Sequence, residues 1–82
     1  MSRQELTLDR LVHILQDAAG VQEGVDLQGD ILDMRFEDLG YDSLALLETA
    51  SRITHAYGVP LADDVALSAE TPRELIAIVN AG

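Results

Sequence analysis

Apolar residues recur at helical spacing in three segments of the chain, and no segment alternates apolar and polar residues as a half-exposed strand does. The first of these segments predicts a helix from Leu8 to about Ala19, with Thr7 as its N-cap and Gly20 as the residue that stops it. Only three of the 82 residues are aromatic, so the core must consist of Leu, Ile, Val and Ala. Both features favour packed helices, and we expect an all-α fold. The predicted buried face of the first helix is Leu8, Leu11, Val12, Leu15 and Ala18.

The second predicted helix starts at Asp42-Ser43 and runs to about Tyr57. Gly58 ends it, and Pro60 prevents its continuation. Its buried stripe is predicted to be Leu46, Ala50, Ile53 and Tyr57, with Leu47 at the margin.

The last helix has the clearest start signal in the chain, the run Thr71-Pro72-Arg73-Glu74. Thr71 is the N-cap, Pro72 takes the first helical position and Glu74 completes a capping box. A further short helical turn is predicted around Ala62–Ala66. The residues of the last helix predicted to face inward are Leu75, Ile78 and Val79.

Residues 20–42 have no helical period and contain several glycines. The segment is nevertheless too apolar for a solvated linker, so we expect a long loop, with at most one helical turn, pinned to the core by its own side chains. The predicted fold is therefore a three-to-four-helix bundle with a long first loop, forming one domain over residues 1–82. The loop residues predicted to hold it down are Val25, Leu27, Ile31, Leu32, Phe36 and Leu39.

The chain is strongly acidic, with fifteen Asp and Glu against five Arg and no Lys, which gives a formal net charge of −10. Such a chain repels nucleic acid and anionic membranes, so neither is predicted as a partner. Proteins with basic patches are the expected partners, although acidity alone also keeps a small protein soluble.

The absence of cysteine excludes a disulfide framework, a thiol nucleophile and a thiolate metal site. The first residues are not followed by an apolar run, and no stretch approaches the roughly 18 apolar residues of a membrane span. We expect a soluble, cytoplasmic monomer.

Ser43 is the candidate functional residue. It stands at the predicted start of the second helix, where unpaired N–H groups and the positive end of the helix dipole favour a phosphate or phosphodiester. The negative charge of Asp42 opposes that preference, so Asp42 must have another role, such as contact with a metal-dependent transferase or with a basic partner. Taken alone, a serine in this position is most often only an N-cap.

The run Leu39-Gly40-Tyr41-Asp42-Ser43-Leu44 matches the L-G-x-D-S-L signature of acyl carrier proteins. The chain most closely resembles the carriers of bacterial type II (aromatic) polyketide synthases, a resemblance that extends to Asp26–Asp33, Phe36–Leu47 and Thr71–Leu75. It implies that a phosphopantetheinyl transferase attaches a 4′-phosphopantetheine arm from coenzyme A to Ser43. The arm would hold malonyl units and the growing chain as thioesters for a ketosynthase/chain-length factor, a malonyl transferase and a ketoreductase. The protein itself would not be an enzyme.

Three alternatives stay open at this point. A fatty-acid or other acyl carrier fits less well, because Tyr41 is more typical of the polyketide carriers, and peptidyl carriers usually have Gly-Gly before the serine. A helical interaction module without an arm would use Ser43 only as a cap. A hydrolase is remote, because nothing near Ser43 resembles a nucleophile elbow and His13 and His55 lie on other parts of the chain.

No metal site is predicted, since Asp26, Asp30 and Asp33 do not have the spacing of a calcium loop.

Leu44 and Leu47 are predicted to form the apolar centre of a surface that contacts partner enzymes. The alternative is a solvated acidic face with one core leucine. Thr54 stands where carriers often have another acid, which weakens the case for contact at the far end of the helix. The acids predicted to surround the centre are Glu37, Asp38, Asp42 and Glu48, joined by Asp63 and Asp64.

Arg73 and Asn80 are seven residues apart on the last helix and therefore share a face. The resemblance suggests that polar groups in these positions meet the carbonyls of a bound acyl chain. The alternative is that Arg73 is an ordinary exposed arginine and Asn80 a fraying C-terminal residue.

Overall fold

The computed structural model describes residues 5–20 and 31–81, and over these ranges it contains four helices and no strand. The all-α prediction is thereby confirmed. The predicted core residues Val25 and Leu27 lie outside the described residues. In chain order the helices are α1 (Leu8–Ala19), α2 (Ser43–Tyr57), α3 (Asp63–Ser68) and α4 (Pro72–Ala81).

The ends of α1 and α2 are where the cap signals predict them. The Thr7 hydroxyl oxygen accepts a hydrogen bond from the N–H of Arg10 at 3.3 Å. At the end of α1, the N–H of Gly20 donates to the carbonyl of Gln16 at 2.9 Å. Gly58 ends α2 in the left-handed region, at a φ of 69°, which a side chain would strain.

The start of α4 departs in one detail from the predicted capping box. The Thr71 hydroxyl oxygen accepts from the N–H of Glu74 at 3.3 Å, as predicted. The Glu74 carboxylate, however, accepts from the Thr71 hydroxyl at 3.2 Å. The short turn predicted around Ala62–Ala66 is the six-residue helix α3.

The core lies between the helices and the loop that precedes α2. Helix α1 packs against both α2 and α4, and α3 packs against α2. Thr49 is the buried polar residue of the described core, and its hydroxyl has no hydrogen-bond partner there. The largest of the side chains with less than 2% exposure are Leu6, Leu11, Leu15, Ile31, Phe36, Leu39, Thr49, Ile53, Pro72, Leu75 and Val79.

The described part of the long loop is pinned to the core as predicted. Ile31, Phe36 and Leu39 are almost completely buried. Backbone hydrogen bonds join the loop to the start of α4 and the residues before it: the N–H of Phe36 donates to the carbonyl of Glu70 at 2.8 Å, and that of Arg73 to the carbonyl of Leu32 at 3.0 Å. These contacts fix the segment that leads to Ser43.

Candidate functional site

Ser43 is exposed and is the first residue of α2. The N-cap is Asp42, whose Oδ1 accepts a hydrogen bond from the N–H of Ala45 at 2.9 Å. The interpretation of Ser43 as the cap is therefore wrong, because an aspartate one residue earlier caps at least as well. The structure also gives Asp42 a role within the chain that the sequence interpretation missed. Because Asp42 caps α2, the Ser43 hydroxyl is not needed to stabilise the start of the helix.

The first turn of α2 leaves donors available beside that hydroxyl. Among the described residues, the N–H groups of Ser43 and Leu44 have no hydrogen-bond partner, whereas those of Ala45 and Leu46 bond to Asp42. Unpaired N–H groups at a helix start bind phosphate oxygens well. A phosphodiester attached to Ser43 therefore fits the donors present.

A tight turn before α2 sets the position of Ser43. The N–H of Tyr41 donates to the carbonyl of Phe36 at 2.9 Å, and that of Gly40 to the carbonyl of Glu37 at 3.2 Å. Gly40 has a φ of 87°, which L side chains rarely adopt. Leu39 anchors the turn with no exposed surface, as predicted.

Tyr41 connects this turn to the end of α1. Its side chain is 3% exposed, and its hydroxyl donates to the carbonyl of Gly20 at 3.4 Å. Burial raises the pKa of the Tyr41 hydroxyl above its usual value, so it stays a neutral donor. Tyr41, which makes the signature typical of polyketide carriers, thus links the turn before α2 to the end of α1.

An open cavity of about 350 Å³ adjoins Ser43. Arg35 lines this cavity and pairs with two carboxylates. Its Nη2 lies 3.4 Å from Oε2 of Glu70 and 3.7 Å from Oε2 of Glu37. A group attached to Ser43 would meet an apolar surface together with this guanidinium. The sequence analysis missed the cavity, because Leu67 and Glu70 reach it only through the fold. Its lining residues are Arg35, Phe36, Glu37, Tyr41, Asp42, Ser43, Leu46, Leu67, Ala69 and Glu70.

The predicted partner surface lies on the solvent side of α2. Leu44 is 65% exposed, which rules out a place in the core, whereas Leu47 is half-buried. The acids predicted to surround them, Glu37, Asp38, Asp42 and Glu48, are all exposed. Asp63 and Asp64 form the exposed first turn of α3. The contact of these residues with partners stays a prediction.

Arg73 and Asn80 each hold a distant part of the chain. The Arg73 guanidinium donates to both carboxylate oxygens of Asp33, at 2.7 and 3.1 Å. This hydrogen bond holds the pKa of Asp33 below its usual value. Asn80 accepts from the N–H of Leu6 at 2.8 Å and donates to its carbonyl at 3.0 Å. Arg73 is thus an exposed arginine in a surface ion pair, as the alternative has it, whereas the alternative of a fraying Asn80 is wrong.

No cluster of three or more metal-ligating His, Cys, Asp or Glu side chains occurs within residues 5–20 and 31–81. In the same ranges, none of the helices combines the length and the apolar character needed to cross a membrane. His13 and His55 are both exposed, on α1 and α2.

The exposed Ser43 hydroxyl, the unpaired N–H groups beside it and the adjoining cavity together fit a helical carrier of a covalently attached group. The family model for a phosphopantetheine attachment site matches residues 9–79 of the chain. The actinorhodin polyketide synthase acyl carrier protein of Streptomyces coelicolor is 56% identical over 75 residues, which cover 92% of this chain and 87% of that protein. The granaticin polyketide synthase acyl carrier protein of Streptomyces violaceoruber is 59% identical over 75 residues, with coverage of 92% and 88%.

The solved structure of the actinorhodin holo acyl carrier protein from S. coelicolor aligns with a TM-score of 0.85 at 52% identity, covering 98% of this chain and 93% of that one. The chain belongs to the phosphopantetheine-bearing acyl carrier proteins of bacterial type II polyketide synthases. It is a carrier and not an enzyme, and it holds polyketide intermediates on its phosphopantetheine arm. The preference for a polyketide carrier over a fatty-acid carrier is confirmed, and the interaction module without an arm is excluded.

Proposed function

We propose that Ser43 is the residue that carries the phosphopantetheine arm, and that the whole chain, residues 1–82, acts as one carrier domain. The observation that carries this proposal is the exposed hydroxyl of Ser43, which Asp42 releases from capping and which lies beside two unpaired N–H groups. The other described serines lack the Asp-Ser-Leu context. Ser51 lies within α2, and the Ser68 hydroxyl donates to the carbonyl of Val65 at 2.6 Å.

The enzymes that we propose as partners are a phosphopantetheinyl transferase, a malonyl transferase, a ketosynthase/chain-length factor and a ketoreductase. The first would attach the arm, the second would load malonyl units, and the other two would extend and reduce the chain. Membership in a family that serves polyketide synthase enzymes supports this set. Because coenzyme A, the source of the arm, is a cytoplasmic metabolite, we place the protein in the cytoplasm. We also propose that it acts as a monomer.

The docking surface that we propose for these enzymes is centred on Leu44, with Leu47 at its edge. Leu44 is a large apolar side chain that is mostly in contact with water, which costs free energy until a partner covers it. The acids around it would pair with basic groups at the rim of the interface and speed encounter. They are Glu37, Asp38, Asp42 and Glu48.

Contacts of Arg73 and Asn80 with the acyl chain stay a prediction. A guanidinium and an amide nitrogen each carry more than one N–H donor. A carbonyl of a bound chain would have to compete for these donors with the partners that the two side chains already have, Asp33 and Leu6 among them.

The test of the attachment site is mass spectrometry after incubation with coenzyme A and a broad-specificity phosphopantetheinyl transferase. We expect the parent chain to gain one phosphopantetheinyl group and Ser43→Ala to gain none. Ser51→Ala removes another exposed hydroxyl from the same helix and should be modified like the parent. Modification of Ser43→Ala would refute the assignment, provided that circular dichroism shows the same helix content in all three proteins.

A further inference from the structure

The cavity beside Ser43 contains one positive charge among several negative ones. Of the described residues that line it, Arg35 is the one base, and Glu37, Asp42 and Glu70 are acids. The whole chain has only five arginines and no lysine. An anion attached to the serine of this cavity would therefore meet a guanidinium that is scarce elsewhere in the chain. The phosphodiester that joins the arm to the protein is such an anion.

The backbone of Arg35 is held firmly relative to the start of α2. Its carbonyl accepts a hydrogen bond from the N–H of Leu39 at 3.1 Å, and the carbonyl of Phe36 accepts one from the N–H of Tyr41 at 2.9 Å. Residues 35–41 therefore form a hydrogen-bonded turn that leads directly into the helix. Because the turn fixes the point where the Arg35 side chain begins, the guanidinium stays close to the cavity.

The guanidinium of Arg35 is paired much more loosely than its backbone. Its Nη2 lies 3.4 Å from Oε2 of Glu70 and 3.7 Å from Oε2 of Glu37. Charge-assisted hydrogen bonds are shorter, at about 2.7–2.9 Å, and the bond from Nε of Arg73 to Oδ1 of Asp33 reaches 2.7 Å. The three side chains of the Arg35 pairs are also more than half exposed. Pairs of this kind contribute little to stability, so another anion can replace one of them.

A phosphodiester on Ser43 suits this guanidinium better than the two glutamates do. It is attached through a short side chain, whereas a glutamate must fix several side-chain torsions to pair, which costs conformational entropy. The planar fork of an arginine also matches phosphate oxygens. The unpaired N–H groups of Ser43 and Leu44 offer further donors to the same phosphate.

We propose that Arg35 is a positioning residue for the arm: its guanidinium releases Glu37 and binds the phosphodiester on Ser43, while it stays near Glu70. The proposal rests on the proposed function, which places the arm on Ser43. The contact directs the first atoms of the arm along the cavity, toward Leu67. A partner enzyme must then break this contact before the arm extends fully into its active site.

The experiment measures how much Arg35 and the arm stabilise each other. The apo and holo forms of the parent, Arg35→Gln and Arg10→Gln are unfolded at low salt in urea, which is uncharged and does not screen ion pairs. The unfolding equilibrium constant of each apo form is divided by that of its holo form, which gives the stability ratio. Both substitutions change the net charge of the apo chain from −10 to −11. Arg10 is exposed on α1 and does not line the cavity, so its variant reports general repulsion alone.

We expect Arg35→Gln to lower the stability ratio about threefold and Arg10→Gln to keep it within about 1.5-fold of the parent. Added salt should shrink the difference. Phosphorus NMR reports the contact directly, because the holo protein contains a single phosphorus atom, in the arm. Arg35→Gln should shift this resonance, whereas Arg10→Gln should leave it where the parent has it.

A second pair of variants tests the exchange of partners and serves if Arg35→Gln impairs folding. Glu37→Gln removes the carboxylate that competes with the phosphodiester, so it should raise the stability ratio about twofold above that of the parent. Asp38→Asn is its matched control, because Asp38 is exposed next to Glu37 and does not line the cavity. Both substitutions change the net charge of the apo chain to −9.

Mass spectrometry and peptide mapping of each holo protein separate this inference from the proposed function. A parent chain that accepts no arm, or accepts it on a residue other than Ser43, would refute the proposed function. If the arm is on Ser43 but Arg35→Gln and Arg10→Gln have the same stability ratio or the same phosphorus shift, Arg35 does not bind the phosphodiester and this inference alone fails. Equal stability ratios for Glu37→Gln and Asp38→Asn would refute it in the same way.

Discussion

Asn80 shows how a single residue can have a role that its position in the sequence conceals. Its amide satisfies both backbone groups of Leu6, a residue 74 positions away that is 1% exposed. A position two residues from the end of the chain is typical of a fraying helix terminus. The actual role depends on the packing of α4 against α1, which no local pattern encodes.

We predict that Asn80→Ala destabilises the protein by about 1–3 kcal/mol, because it leaves the N–H and carbonyl of the buried Leu6 without partners. Asn80→Asp keeps one acceptor for the N–H and places a negative charge near the carbonyl, so it should not restore the full stability. Urea unfolding followed by circular dichroism gives both values. A change of less than about 0.5 kcal/mol for the alanine variant would show that water replaces the amide.

The function proposed for Ser43 rests on the signature around it and stays a prediction. The interpretation of the same residue as a cap was displaced by one position. Asp42 and Ser43 are both good caps, and the choice between them depends on the turn that Gly40 and Tyr41 impose. Local propensity alone does not make that choice.

At the scale of elements, helix ends were the most predictable features, because caps and stops act through bonds within four residues. Thr7, Gly20 and Gly58 stand where their residue types predict. The described part of the loop was predictable only as a buried segment. Its register depends on hydrogen bonds to Glu70 and Arg73, which come from the other half of the chain. The cavity beside Ser43 was missed for the same reason.

The assignment of the α2 cap predicts different stabilities for two neighbouring variants. Asp42→Ala should destabilise the protein by about 0.5–2 kcal/mol, because the N–H of Ala45 loses its partner. Ser43→Ala should change the free energy of unfolding by less than about 0.5 kcal/mol. Thr71→Ala, which removes the cap of α4, is the matched control for the first variant. Equal losses at Asp42 and Ser43, measured by urea unfolding, would contradict the assignment.

At the scale of the whole molecule, the net charge of −10 is opposed by few ion pairs among residues 5–20 and 31–81. The ion pairs of Arg35 and Arg73 join side chains that are more than half exposed, and such pairs contribute little to stability. Residues 36–72 contain seven acids and Arg52 as the single base. Repulsion among carboxylates therefore acts against the compact state.

Added salt should consequently raise the thermal midpoint of unfolding, since it screens the repulsion between carboxylates more than it weakens the exposed ion pairs. Magnesium should raise it more than sodium at equal ionic strength, because a divalent cation associates with carboxylate oxygens. A variant with Asp38→Asn and Glu48→Gln carries two fewer charges and should melt higher in low salt, with a smaller response to salt. Identical midpoints in all these conditions would show that the carboxylates are too far apart to interact.

The bonds between Asn80 and Leu6 also bring the two ends of the described chain side by side. Segments fused before Leu6 and after Asn80 would leave the molecule from one place, so the protein could be inserted into a surface loop of a host protein without stretching its helices. For the same reason a short peptide could join a residue before Leu6 to one after Asn80, and new ends could be opened elsewhere on the surface. Tension applied through both fusions would act first on the two hydrogen bonds of Asn80. The contact that holds the two ends of the described chain together is thus also the first that a pulling force on both fusions would break.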